Sequence, residues 1–398
     1  MKLQTRLIFL GILFFFSSTG FLWSQNAAKR AFGNGIEYLA KDTSFSAKFN
    51  LRMQNLYVYN YDEASETSSS QFLVRRARLK FGGFALTKNL KYKVELGLSN
   101  RDISIDKEDG NGRGGSRMIL DAVLQWQFSK HWSLWVGQTK LPGNRERVIS
   151  SADLQFVDRS LVNSKYNLDR DAGIQLRGRY SLGSMIVEPA VAVSQGEGRN
   201  ITSQNFGGYD YTLHLDIQPL GAFSSKKGAF TSSDLDREPA PKLALGFTYD
   251  YNDGAVRQGG QLGKFISNSE GVYMENSLQT LIADLMFKYR GLSVLSEYAS
   301  KSADKKMSDL SSGFNTGTGL TVQMGYLFHS NWEMALRYTT IEREDDFSSI
   351  KDENQFTLGL SKYIVGHKLK VQSDFTRVTF PDRPDGGYQF RMQVEMQF

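Results

Sequence analysis

The sequence predicts an all-β fold, a transmembrane antiparallel β-barrel of about 16 strands with long extracellular loops, short periplasmic turns and an inward constriction loop. Three observations predict it: apolar and polar residues alternate with a period of two as far as Phe398, the links between strands are alternately long and short, and the chain opens on an export leader. Strict alternation marks strands with two unlike faces. Tight turns at one end and long polar loops at the other are the habit of an outer-membrane barrel, and an even strand number returns both termini to the periplasmic side.

The leader comes first. Lys2 and Arg6 precede the apolar run Leu7 to Phe16, and Ser17, Ser18, Thr19 and Gly20 follow before Ser24. That is the charged, apolar and small-residue order of a secretory signal, so residues 1–24 are read as a signal peptide and the mature chain as exported. Its removal leaves 46 Lys and Arg against 42 Asp and Glu, a net charge of +4. Residues 25–44 are read as an N-terminal periplasmic segment and 45–398 as the barrel.

Composition excludes the main competitors. Forty per cent hydrophobic residues and a mean hydropathy of −0.39 are too polar for a polytopic helical membrane protein. Abundant aromatics, at 13%, and only 7 Pro argue against disorder. The absence of Cys removes disulfides, thiolate metal sites and Cys nucleophiles.

The strands follow by parity. In the last one Tyr388, Phe390, Met392, Val394, Met396 and Phe398 take one face, and Gln389, Arg391, Gln393, Glu395 and Gln397 the other. Tyr92, Val94, Leu96 and Leu98 likewise oppose Lys91, Lys93, Glu95, Gly97 and Ser99; Leu243, Leu245, Phe247, Tyr249 and Tyr251 oppose Ala244, Gly246, Thr248 and Asp250. Strands are expected near 45–59, 71–83, 89–99, 118–128, 132–141, 172–180, 184–195, 209–219, 241–251, 278–289, 291–300, 318–328, 332–341, 354–363, 367–377 and 387–398. Trp126, Phe128, Trp132, Tyr326, Phe328 and Trp332 gather at strand ends, where a membrane barrel carries its interfacial girdle. One link breaks the rhythm: Leu220 to Ala240 is long where a short turn is due, which points to a miscounted strand or a periplasmic excursion.

Charge then assigns the faces. If the apolar parity meets lipid, Arg76, Arg78 and Lys80 on the second strand and Lys91 and Lys93 on the third face the lumen, since one cation on the lipid face near the midplane costs about 2–4 kcal/mol. These five form a basic wall. Arg177, Arg179, Lys368, Lys370 and Arg391 share the lumen parity, and so do Glu95, Asp121, Glu188, Asp216, Asp250, Asp284, Glu297, Glu333, Asp374 and Glu395. A selective anion ladder and a set of paired charges that merely hydrate the channel both fit this pattern.

The stretch Phe72-Leu-Val-Arg75-Arg76-Ala-Arg78-Leu-Lys80-Phe81-Gly, with Val136-Gly-Gln-Thr-Lys140-Leu-Pro142, Arg145-Glu-Arg147, Asp153-Leu-Gln155-Phe-Val-Asp158-Arg159 and Asn167-Leu-Asp169-Arg170-Asp171, resembles the phosphate-selective porin O and P family in its Bacteroidetes-type form. The resemblance is most specific over residues 71–180. It implies a sixteen-stranded barrel in the outer membrane of a Gram-negative bacterium, usually a homotrimer, passing small anions such as phosphate by diffusion, with no enzymatic activity and no cofactor. A C-terminal strand ending in Phe398 resembles the signal read by the barrel assembly machinery. By analogy with general porins, the connection 142–171 after the fifth strand is the candidate constriction loop, carrying Arg145, Arg147, Arg159, Lys165 and Arg170 against Glu146, Asp153, Asp158, Asp169 and Asp171. Lys140, Arg145, Arg147, Arg159, Arg177 and Arg179 therefore join the basic wall as expected pore-lining, anion-binding residues. Rings of Arg and Lys select anions by replacing lost hydration, and Arg suits phosphate through its planar fork. The rival reading is a barrel serving adhesion or scaffolding through its loops, with a plugged lumen.

Other signals are weaker. Gly110-Asn-Gly112-Arg-Gly114-Gly115 fits the dinucleotide-binding string but lacks a following helical pattern, and the nearby Asp106, Glu108 and Asp109 read as a solvated loop rather than a Ca²⁺ site. His214 with Asp216 is a faint hydrolase signal, no His pair has metal-ligand spacing, and the exported, mixed-charge pattern argues against nucleic acid.

Overall fold

A computed structural model describes residues 32–103, 117–201, 205–306, 313–345 and 348–398. Residues 1–24, expected to be a signal peptide, and the Gly110–Gly115 string lie outside the described residues. Lipid offers backbone N–H and C=O groups no hydrogen-bonding partner, so a spanning sheet must close on itself. It does so here as sixteen antiparallel strands. They are β1 (Ser46–Asp62), β2 (Thr67–Ala85), β3 (Thr87–Gly97), β4 (Ile119–Trp126), β5 (Trp132–Lys140), β6 (Arg170–Gly178 with Tyr180–Leu182), β7 (Met185–Ser194) and β8 (Asp210–Gln218). The second half comprises β9 (Lys242–Ala255), β10 (Asn276–Tyr289), β11 (Leu292–Ala303), β12 (Gly317–Leu327), β13 (Trp332–Arg343), β14 (Glu353–Val365), β15 (Leu369–Phe380) and β16 (Arg383–Gln397). The two parts of β6 both pair with β7 and are one strand interrupted at Arg179.

Every expected strand is present, with ends shifted by a few residues. The seam is β16 against β1, in register from Gln397↔Arg52 to Gly387↔Asp62. Phe398 completes it, exchanging backbone hydrogen bonds of 2.7 and 2.9 Å with Leu51. Beyond Phe398, a short strand (Ile36–Leu39) pairs with the start of β1. Apart from the link 219–241, the turns at the terminal end are tight. Between β10 and β11, Arg290 and Gly291 carry φ of 47° and 92°, two successive left-handed residues of the kind a two-residue hairpin needs to match strand twist.

Burial alternates as lipid demands. β12 reads buried or exposed residue by residue, with Leu320, Val322, Met324 and Tyr326 outward and Thr321 and Gln323 inward. The outer surface is a continuous apolar belt that includes Phe247, Leu281, Leu336, Leu358, Phe375 and Val394. At the short-turn end, aromatic pairs such as Trp126–Phe128 at 5.6 Å and Tyr326–Phe328 at 5.2 Å form the girdle.

The interior is filled unevenly by two connections. Residues 141–169, between β5 and β6, carry α1 (Arg145–Val148) and α2 (Leu161–Tyr166) and lie within the barrel. Ser160 caps α2 by accepting from the Asn163 N–H at 3.2 Å. Leu141, Val162, Tyr166 and Leu168 pack on inward Ala192, Ile282, Ala299 and Ile341. The irregular link 219–241 also enters the lumen: Phe223 and Ala229 pack with Ile149 and Leu154 of the first segment on Ala244, Met286 and Leu295. The strand count therefore stands, and this long link is accounted for by a segment that turns inward. Inward glycines make room for the first segment. A Cβ on Gly325 would come within 1.9 Å of the Gln155 side chain, and one on Gly359 within 2.8 Å of Phe156.

The outward parity yields a direct test. Val322→Arg should lower folding stability in lipid by about 2–4 kcal/mol, the cost of a cation near the midplane, measured by urea unfolding in vesicles; a loss below 0.5 kcal/mol, a threshold of roughly RT scale, would contradict the facing.

Candidate functional site: a basic lumen wall

The second strand sets the wall through an irregularity. β1 and β2 pair Gln54 with Arg76 and Asn55 with Val74, so Arg75 is an extra residue in β2. A β-bulge re-aims side chains, and this one brings two consecutive arginines to one carboxylate: Arg75 and Arg76 donate to Asp158 at 3.0 and 3.1 Å. Asp158 belongs to the inward segment, so the bulge ties that segment to the wall. Burial alone would raise the Asp158 carboxyl, but Arg76, Arg75 and Arg391 outweigh it and hold it below the ordinary carboxylate value. Asp169 behaves alike: Arg147 and Arg170 overcome the burial that would raise it.

Neighbouring cations also have partners. Arg78 reaches Glu95 at 3.0 Å, Lys80 lies 3.6 Å from the same carboxylate, and Lys93 reaches Asp121 at 2.7 Å. Arg147 donates to Asp169 at 2.7 Å. Among the described residues Lys140 and Arg159 form no ion pair, and they turn to the open carbonyl end of α1. Lys140 Nζ donates to the carbonyls of Arg147 and Val148 at 2.7 and 2.9 Å. Arg159 donates to those of Glu146 and Ile149 at 2.7 and 2.6 Å. Carbonyls carry only partial negative charge, so these cations hold α1 in place while keeping most of their positive field.

A cavity of about 890 Å³ lies between this wall and the two inward segments. Its lining runs from Lys48, Lys227 and Lys368 near the short-turn end to Arg117, Arg199 and Leu262 near the other. Among the described residues, seventeen Lys or Arg line it against five Asp or Glu, an excess the whole chain, at +6, does not suggest. The missing acids are in the filled half. Asp216 and Asp284 bind Arg145, Glu297 accepts from the Glu146 N–H and Asn144, and Glu333 accepts from Ser233, Tyr363 and Gln155. The second segment is fastened there too, with Lys288 Nζ donating to the carbonyls of Gly228 and Ser233 at 2.9 and 2.8 Å.

Of the eleven residues expected to line a pore, Arg76, Arg78, Lys80, Lys93, Lys140, Arg147, Arg159 and Arg177 border this cavity. Three stand elsewhere. Lys91 is exposed near the turn end of β3. Arg179 sits at the break in β6, more than half exposed and paired with Glu188. Arg145 is 1% exposed: it salt-bridges Asp216 and Asp284 and donates to the Ala229 carbonyl at 3.1 Å, so it joins both inward segments to the wall of β8 and β10. Sequence reasoning missed Arg75, Lys48, Arg199, Lys227 and Arg337 as lining residues. The doublet Arg75-Arg76 was itself a signal, because two successive charges on one strand cannot both avoid lipid without a bulge. His214 meets Thr248 at 2.8 Å rather than forming a pair with Asp216.

Known proteins agree with this architecture. Residues 47–231 match the model of the family described as phosphate-selective porin O and P, which bears out the resemblance. An uncharacterized protein of Aquifex aeolicus (strain VF5) is 22% identical over 373 residues, covering 86% of this chain and 83% of that one. Among solved structures, the anion-selective porin from Comamonas acidovorans matches with a TM-score of 0.54 at 10% identity, over 89% of this chain and 100% of that one. OprB of Pseudomonas putida gives 0.54 at 11% identity, over 88% and 94%. The outer membrane channel DcaP of Acinetobacter baumannii gives 0.52 at 12%, over 91% and 99%. At such identities the likeness is one of fold.

Two outcomes follow for the inward segments. Arg145→Ala strands two buried carboxylates, and breaking a buried pair costs about 3–5 kcal/mol; the segments should become protease-sensitive while the barrel still resists heat in detergent. Acid should loosen them as well. Carboxylates held low contribute docking stability that is complete above about pH 4 and is lost as pH falls toward their folded values, so protease protection of 141–169 should hold from pH 7 to about 4 and decline below it.

Proposed function

We propose that this chain, an outer-membrane channel of the phosphate-selective porin O and P family, lets small hydrophilic solutes diffuse through its lumen with a preference for anions, phosphate among them. The observation that carries the reading is the charge of the cavity: its lining is cationic by a wide margin although lumen-parity residues as a whole are mixed. In a narrow, partly dewatered passage, positive side chains replace part of an anion's lost hydration, and a graded series of them lets the ion move on. Residues 141–169 act as the constriction in this account, their Arg147 and Arg159, with Lys140 of β5, lining the same cavity as Arg76, Arg78 and Lys80. The anion selectivity stated for the Comamonas acidovorans porin is consistent with the same assignment. Assembly as a homotrimer and recognition of Phe398 by the barrel assembly machinery belong to this proposal.

The two inward segments also suit the rival, an adhesive or scaffolding barrel with a plugged lumen. Conductance separates them, because the purified protein in a planar bilayer should give discrete steps, and their absence would leave the plugged barrel standing. In a tenfold KCl gradient, a condition set by the roughly 59 mV Nernst limit for one electron charge, the reversal potential should favour chloride over potassium. R76Q/R78Q exposes Asp158 and Glu95 and should move the reversal potential toward the potassium side with heat resistance of the barrel intact; an unchanged value would remove these arginines from the selectivity mechanism.

A further inference from the structure

Most guanidiniums of the basic wall are matched by carboxylates, Arg78 by Glu95, Arg170 by Asp121 and Arg391 by Asp374. Arg177 on β6 is held in another way. Its Nε and Nη2 donate to Gln175 Oε1 at 2.9 and 2.6 Å, and its guanidinium carbon lies 4.3 Å from the centre of the Trp135 ring. Gln175 is fixed in turn, its amide donating to the Lys140 carbonyl at 3.0 Å. Among the described residues, Trp135 is the only Trp lining a cavity otherwise dominated by charge. Its Nε1 already donates to Ser133 Oγ at 3.1 Å, so the indole presents carbon to the lumen and offers no free donor. Gln125, its register partner on β4, lines the same place.

We propose that Trp135 and Arg177 form a station for small carboxylates with a flat apolar body, aromatic carboxylates being the class. The inference rests on the anion-channel reading and narrows its substrate. Arg177 is a cation whose orientation is set by Gln175 and by stacking, and whose remaining N–H groups can engage a planar carboxylate in the fork geometry. A flat ring attached to that carboxylate gains contact with the indole, worth the factor of about three to ten that an aromatic pair contributes. Phosphate or acetate engages the fork but gains nothing from the ring.

The test uses the purified full-length channel in planar bilayers, with benzoate, acetate and phosphate each titrated against the chloride current. Wild type should be blocked by benzoate at a concentration about three- to tenfold lower than by acetate. W135L should raise the benzoate value to that of acetate without moving the chloride–potassium reversal potential or the phosphate block, and W135F should fall between. R177K, which keeps the charge and loses the flat fork, should lose the benzoate advantage while acetate and phosphate still block. Equal block by benzoate and acetate in wild type, or an unchanged benzoate block in W135L and W135F, overturns the station. A wild-type reversal potential on the potassium side overturns the anion-channel reading itself, and the two failures are read from separate measurements.

Discussion

Closure of the sheet at the β16–β1 seam is the constraint on which everything else depends. An open edge would leave a row of backbone N–H and C=O groups facing hydrocarbon, which has no partner for them. The seam is complete to the last residue, where Phe398 and Leu51 bond reciprocally. Once the barrel is closed, parity has only one arrangement that lipid accepts. Leu358, Val322 and their neighbours face outward, and Arg76, Asp284 and Glu297 must face inward whatever the interior then requires.

That requirement is severe, because a closed interior collects charges of both signs in a space with little water. Isolated buried charges are costly unless paired and hydrogen-bonded. The chain meets this by sending two connections inside. Arg145 fastens them to Asp216 and Asp284, Lys288 caps the carbonyls of the second, and Ser233, Tyr363 and Gln155 surround Glu333. The acids of β8, β10, β11 and β13 are thereby consumed in anchoring. Across the lumen, the segment supplies Asp158 and Asp169 to the basic wall but too few acids to neutralise it. A mixed-charge barrel thus becomes a channel with a cationic face, and the segregation arises from where the connections fold rather than from net charge.

Much of the barrel was legible in the sequence because facing is a local property: alternation within eight or ten residues states which side meets lipid, and tight links state which strands are neighbours. The wall of Arg76, Arg78, Lys80 and Lys93 was legible for the same reason. Roles that depend on distant partners were not. Arg145 has the same composition signature as Arg147, yet its partners lie 71 and 139 residues further along the chain, so spacing alone cannot tell an anchor from a lining residue. The inward course of 219–241 is equally non-local, its anchors being Lys288 and Glu333. Partial clues were present in the inward Gly325 and Gly359, where a strand gives up side-chain volume so that another segment can approach. Lys91 and Arg179 have the right parity but sit near strand ends or a strand break, beyond the stretch that the cavity occupies.

The central claim is that anchoring of the two inward segments leaves a cavity that holds anions and excludes cations. Crystals of the full-length protein soaked in rubidium bromide test it most directly, through the anomalous signal of each ion. The account predicts bromide peaks along the face formed by Lys80, Lys140 and Arg159, and no rubidium in the cavity. Rubidium peaks among those residues, with bromide absent, would contradict it.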